Sequence, residues 1–303
     1  MPRIAIGPDR EKFAVDAVTA GGGEVVDTGS PADALVWLET DDTSGLRRAL
    51  AATSARWVQL SSAGVEPVVA AGLLDAGRTW TCAKGLYAEP VAEHALMLAL
   101  ASLRLLPERV RASSWGPEAG ESLYDQPVTI LGGGGITASL LALLAPFRVT
   151  ATVVRRTPEP VPGASRTLAT RDLMAALPGA KVVFLALALT PDTEGIIGAD
   201  QLTAMGPGSW LVNVARGRHV GTAALVAALD NGVIAGAGLD VTDPEPLPAG
   251  HPLWAQQRCI ITPHTADTPQ MTNGPLARRI RDNVASFAAG KLLHGWVDPV
   301  AGY

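Results

Sequence analysis

The chain has 303 residues, enough for about two domains. Hydrophobic residues make up 48% of it and charged residues only 17%, against ~25% in an average soluble protein, which excludes intrinsic disorder. A net charge of −5 with no basic stripe argues against a nucleic-acid partner.

The first 85 or so residues alternate short apolar runs with helical patterns. Arg3–Ile6, Glu24–Val26, Ala34–Leu38 and Trp57–Leu60 read as strands, with helices near Arg10–Ala20 and Thr43–Ala52 between them. This alternation predicts a parallel sheet with crossover helices. Ala63-Gly64-Val65 follows the fourth strand and opens a further short helix. The N-terminal run is too short for a signal peptide.

Tyr87-Ala88-Glu89-Pro90 opens a long helix that continues to about Leu106. Pro90 suits its first turn, where a missing N–H is no loss. Glu93, His94 and Arg104 interrupt its apolar run, so it reads as a core helix and not a membrane span. A polar loop with Pro107, Gly116, Pro117 and Gly120 follows, and Arg104 and Trp115 are expected to pack.

Six more strands come next: Val128–Leu131, Val149–Val154, Val182–Leu187, Trp210–Val214, Gly236–Leu239 and Cys259–Ile261. Each is apolar on both faces, as central parallel strands are. One intervening helix starts near Thr222, read as its N-cap, and stops at Asn231-Gly232. A last helix spans about Gln270–Ala289, with Met271, Leu276, Ile280, Val284 and Phe287 at helical spacing. Cys82 and Cys259 fit no metal or redox pattern and read as buried reduced thiols in a reducing compartment; no metal site is expected.

Gly132-Gly133-Gly134-Gly135-Ile136 ends one strand and opens a helix. Gly132 and Gly134 occupy the first two glycines of G-x-G-x-x-G, giving a tight turn and close backbone approach to a pyrophosphate, with the helix N–H groups of Gly135 and Ile136 behind them. Thr137 replaces the third glycine and is expected to push the helix outward. The next strand ends in Arg155-Arg156, where an NAD site carries an acidic residue. Arginine pairs with a 2′-phosphate, so NADP is expected over NAD, with NAD still possible. Arg216, Glu245 and His264 each follow a different strand, at the carboxyl edge where open parallel sheets bind ligands.

With Asn213-x-Ala215-Arg216-Gly217, Leu239-Asp240-Val241, Glu245-Pro246-Leu247-Pro248, Pro263-His264, Ala88-x-x-Val91-Ala92-Glu93-His94 and Leu189-Thr190-Pro191-Asp192-Thr193, the chain resembles the D-isomer-specific 2-hydroxyacid dehydrogenase family from roughly residue 55 to 290. The resemblance implies an α/β protein of two Rossmann-like or flavodoxin-like domains, each a parallel sheet with helices on both faces. A cofactor domain, 87–269, is inserted into a substrate domain formed by 1–86 plus 270–303, with substrate entering between them.

It also implies that Arg216 grips a 2-keto oxygen and carboxylate, His264 exchanges the hydroxyl proton, and Glu245 holds the other ring nitrogen. The N–H groups of Ala63 and Gly64 would bind the substrate carboxylate, and Leu187, Thr193, Val214, Ala215, Asp240 and Ala266 would contact the cofactor. The implied protein is a cytoplasmic homodimer acting on a glyoxylate- or hydroxypyruvate-like acid. A cofactor-sensing, corepressor-like binding protein is the alternative. Glu245 and Ala63 speak against formate and phosphite dehydrogenases, which carry Gln and Lys at those places. Ala188 and Asp267 depart from the family's residues near the cofactor.

Overall fold

The computed structural model describes residues 1–299; the last four residues of the expected C-terminal segment lie outside them. The chain divides into two compact units, one of residues 1–87 with the segment from Thr268 onward, the other Ala88–Asp267.

The first unit holds five strands, β1 (Arg3–Gly7), β2 (Glu24–Val26), β3 (Ala34–Trp37), β4 (Trp57–Leu60) and β5 (Thr79–Thr81). They form one wholly parallel sheet in the order β2-β1-β3-β4-β5, a doubly wound arrangement. One face buries Leu35, Leu46, Val58, Leu60, Val68 and Trp80 in a common core. The helices Lys12–Ala20 and Pro269–Ala288 pack on each other, so closely that a Cβ on Gly21 would lie 2.5 Å from the Arg281 carbonyl. The edge strand β5 was not expected; with three residues it is too short to show alternation, and an antiparallel bridge from Thr81 to Trp296 covers it.

The second unit holds β6 (Pro127–Leu131), β7 (Thr150–Arg155), β8 (Arg166–Ala169), β9 (Val182–Leu185), β10 (Trp210–Asn213), β11 (Gly236–Leu239) and β12 (Cys259–Ile261). All pair parallel, in the order β12-β11-β10-β9-β6-β7-β8. Strand order reverses between β6 and β9, so a ligand crevice is expected outside their carboxyl ends. β9, β10 and β11 are buried along their whole length because helices cover both faces. Leu131, Val183, Leu185 and Leu211 pack with Leu202 and Leu225 on one side, while Gly238 gives room to Leu98 of the helix Ala88–Leu103 on the other.

Four local expectations are corrected. β8 is an edge strand with exposed or half-buried polar residues, which hid it. The long helix stops at Leu103, Leu105 takes a left-handed backbone, and a second short helix, Leu106–Arg111, fills part of the expected loop. Gly221, not Thr222, is the N-cap; the Thr222 hydroxyl donates instead to the Asp243 carbonyl. Trp115 does not pack: in the single chain it is 97% exposed, and Arg104 is exposed too. Cys82 and Cys259 are both free and buried, and burial pushes the Cys259 thiol up to about 12.

Candidate active site

The glycine turn leaves β6 at the strand-order reversal. Gly132 has φ +109°, and a Cβ there would lie 2.1 Å from the Ala186 carbonyl at the end of β9, so the two strand ends approach over a residue that must be glycine. The helix Gly135–Leu144 starts directly after Gly134. A Cβ on Gly134 would meet nothing within 4 Å, and the N–H groups of Gly133 and Gly134 find no acceptor among the described residues. With the first-turn amides of Gly135 and Ile136, this is an open anion cradle at a helix N-terminus, and it fits a pyrophosphate.

Thr137, expected to push the helix outward, is accommodated inside the turn. Its side chain is fully buried and its hydroxyl donates to the Gly132 carbonyl at 2.9 Å, so the substituted residue pins the turn that a glycine would only permit. Arg155 closes β7 and lies across the turn: a Cβ on Gly133 would sit 2.9 Å from its Cδ. Its guanidinium also reaches Glu159 at 3.4 Å. Arg156 follows it and is exposed.

Arg216 is presented by the loop after β10. Asn213 closes that loop from inside, its amide donating to the Arg216 carbonyl at 2.9 Å while its oxygen accepts from Ala215 N–H at 3.0 Å. Gly217 must be small, since a Cβ would overlap the Thr242 carbonyl at 1.9 Å. Beneath the loop, fully buried His219 accepts the Arg216 N–H on Nδ1 at 3.2 Å and lies 3.3 Å from the Ala188 carbonyl through Nε2. His219 thus ties the ends of β9 and β10 together, a role that no sequence signal pointed to.

Glu245 and His264 meet, with Glu245 Oε1 2.6 Å from His264 Nδ1. Their side chains are 38% and 43% exposed. The hydrogen bond to Glu245 raises the His264 pKa above its ordinary value, against the smaller effect of desolvation, and the same bond lowers that of Glu245. The Arg216 charge reaches both, favouring the carboxylate and opposing the imidazolium. Nδ1 is occupied, which leaves Nε2 for proton exchange. His264 has φ +52°, a left-handed backbone that costs a β-carbon-bearing residue on the order of 1 kcal/mol and persists only where neighbours hold it.

Asp240, just beyond β11, supplies that hold. Its side chain is 1% exposed and accepts from Thr262 Oγ1 (2.6 Å), Thr265 N–H (2.9 Å) and Ala266 N–H (3.0 Å), while its carbonyl accepts the His264 N–H (2.9 Å). Burial alone would raise its pKa; the hydrogen bonds from His94, Thr262 and the two amides outweigh that and bring it to about 2. Asp267, next along, is pushed up by burial.

Leu187, Thr193, Val214, Ala215 and Ala266 all lie in loops leaving the carboxyl ends of β9, β10 and β12. The Thr193 hydroxyl is spent on its own loop, accepting from Thr190 N–H and donating to the Ala188 carbonyl, both at 2.8 Å. Ala63 and Gly64 belong to the first unit, in the loop after β4, where neither N–H bonds to a described residue.

A sheet of this order holds a dinucleotide, and the groups that leave its strand ends can bind an anion and pass a proton; together they equip a nicotinamide-dependent oxidoreductase. The family model for the NAD binding domain of the D-isomer specific 2-hydroxyacid dehydrogenases matches residues 94–266. The chain is 42% identical over 254 residues to a Corynebacterium melassecola protein described as uncharacterized, covering 82% of this chain and 84% of that one. It is 31% identical over 221 residues to glyoxylate/hydroxypyruvate reductase A of Serratia proteamaculans (strain 568), covering 71% and 69%. The structure of a D-isomer specific 2-hydroxyacid dehydrogenase from Xanthobacter autotrophicus Py2, in complex with NADPH and MES, superimposes with a TM-score of 0.87 at 28% identity, over 100% of this chain and 99% of that one. The chain belongs to the D-isomer specific 2-hydroxyacid dehydrogenase family, enzymes that act with NAD(P) on the CH–OH group of their donors. Nothing among these relatives favours the corepressor-like alternative.

Proposed function

We propose that the enzyme reduces small, unphosphorylated 2-keto acids of the glyoxylate or hydroxypyruvate type, using NADPH in preference to NADH. The Serratia relative is such a reductase by name, and the Xanthobacter structure contains NADPH. When bound, the nicotinamide supplies the hydride. Arg216 offers a planar fork to the keto oxygen and carboxylate. His264, its Nδ1 fixed by Glu245 at 2.6 Å, gives a proton to the nascent hydroxyl from Nε2. In the first unit, the N–H groups of Ala63 and Gly64 bond to no described residue and are available to an anion.

The Glu245–His264 pair carries this reading, because the carboxylate orients the imidazole and favours its protonated form, the form that reduction consumes. Arg155 beside the glycine turn, with Arg156, supports the NADP preference. No acidic residue stands at either position for the ribose 2′-OH of NAD. We also propose a homodimer, for which the exposed Leu106, Val110 and Trp115 supply apolar surface. Among the described residues no helix is long and apolar enough to cross a membrane, and a cytoplasmic location is proposed on the composition alone.

A panel of 2-keto acids assayed with NADPH and NADH tests the proposal. Glyoxylate or hydroxypyruvate should be reduced, with kcat/KM higher for NADPH by at least about tenfold, the size of a lost charged hydrogen bond. No turnover with any acid, or a preference for NADH, would contradict it.

A further inference from the structure

We propose that His94 is a positioning residue for His264, acting through Thr262 and Asp240; the role of His264 rests on the function proposed above. His94 stands on the helix Ala88–Leu103, 168 residues before Thr262, with its side chain 15% exposed. Its Nε2 lies 2.9 Å from Thr262 Oγ1 and 3.3 Å from Asp240 Oδ1.

Counting protons fixes the direction of these bonds. Thr262 has one hydroxyl proton, and it goes to Asp240 Oδ1 at 2.6 Å. Asp240 is ionised and donates nothing. His94 Nε2 therefore carries a hydrogen and donates it to Thr262, with Asp240 Oδ1 as a longer second acceptor.

The consequence reaches His264. Asp240 and Thr262 bracket the left-handed turn: the His264 N–H donates to the Asp240 carbonyl at 2.9 Å and lies 3.0 Å from that of Thr262, and the two amides after His264 end on the Asp240 carboxylate. Without His94 these contacts join β11 only to the loop after β12. With it, they are anchored to a long helix packed on β10, β11 and β12. His94 thus ties the backbone of His264 to a rigid element, and with it the register between the imidazole and Glu245.

The test compares His94→Leu, which keeps bulk and removes the donor, with His94→Gln, whose side-chain amide restores a donor near the same place. The charged groups facing His264 are Glu245, Arg216, Asp240 and Asp267, and Asp240 alone of these is paired with His94. None of them is substituted, and Asp240 keeps its bonds from Thr262, Thr265 and Ala266, so a moved pH profile reports geometry.

His94→Leu should lower kcat for keto-acid reduction about tenfold with little change in substrate KM, a sub-ångström misplacement costing less than the hundredfold of a full one. It should also move the alkaline limb of the kcat profile to lower pH, since a looser bond to Glu245 raises the His264 pKa less. His94→Gln should recover most of both effects. An unmoved limb in folded His94→Leu enzyme, or a His94→Gln variant as impaired as His94→Leu, would overturn the proposal.

If His94→Leu does not fold, Thr262→Val cuts the same link from the other side and should give the same limb shift; an unmoved limb there also overturns it. NMR titration of the His264 imidazole provides a readout without turnover. A wild type inactive on every acid refutes the proposed function, while the titration still decides the role of His94: a lower His264 pKa in His94→Leu supports it, and an unchanged one refutes it.

Discussion

Each unit contains a buried polar cluster, and the two are built differently. In the first, every member is neutral: Trp57 Nε1 donates to Thr81 Oγ1 at 2.8 Å, Thr81 donates to Gln59 Oε1 at 2.8 Å, and Asn283 donates to the same Gln59 oxygen at 2.9 Å. Asn283 also accepts the His294 N–H, so the cluster fastens the last helix and its tail to the sheet. In the second, an ionised carboxylate, Asp240, gathers two backbone amides, a threonine and a histidine around a strained turn. Neutral clusters close a fold. A buried charge fully supplied with donors can hold a loop in a conformation it would not choose, and His264, the proton donor proposed above, stands on that loop.

The contrast is sharpened by substitutions that separate activity from stability. The largest of these effects belongs to Glu245→Gln. The proposed reduction consumes the protonated His264, so activity should be lost as pH rises through its raised pKa. Removing the carboxylate removes the cause of that rise. The alkaline limb should move to lower pH, and kcat above neutrality should drop about a hundredfold, as seen in pH-rate profiles. In the first unit, Asn283→Ala should leave turnover per folded molecule unchanged but cost about 1–3 kcal/mol in urea unfolding, because Gln59 and His294 lose buried partners. Smaller still, Thr137→Val should cost about 1 kcal/mol of stability and leave the glycine turn in place, measured by the same unfolding curves together with the KM for NADPH. A large rise in that KM would show that the Thr137 hydroxyl shapes the cradle as well as bracing it.

The parts of this molecule that sequence exposes are those with a strong local signature. Continuous apolar runs mark the buried strands, and β4 and β11 lie at the expected residues, as do the edge strands β2 and β12. The glycine turn and the residues Arg216, Glu245 and His264 stand at strand ends, where ligand chemistry belongs in such a sheet. The edge strands β5 and β8 escaped notice because Thr79-Trp80-Thr81 alternates with polar threonines over only three residues and β8 opens on the polar Arg166-Thr167, whereas the edge strands β2 and β12 carry the legible pairs Val25-Val26 and Ile260-Ile261. His94 stands in a resembling motif and His219 in none, and for neither are the partners readable in sequence. A histidine in an apolar stretch reads as core, and its meaning lies in partners far along the chain, Thr262 for one and the Ala188 carbonyl for the other. Thr137 shows the limit of motif reading. The glycine pattern marks it as a defect, while its hydroxyl turns it into a brace.

The most direct test of the account is Arg216→Ala, assayed by glyoxylate- or hydroxypyruvate-dependent NADPH oxidation alongside NADPH binding by fluorescence. The account predicts that kcat/KM for the acid falls about 10²–10³-fold while NADPH affinity stays within about threefold, because Arg216 acts on the substrate and the cofactor rests on the glycine turn. Turnover that survives the substitution at near wild-type rates would contradict it.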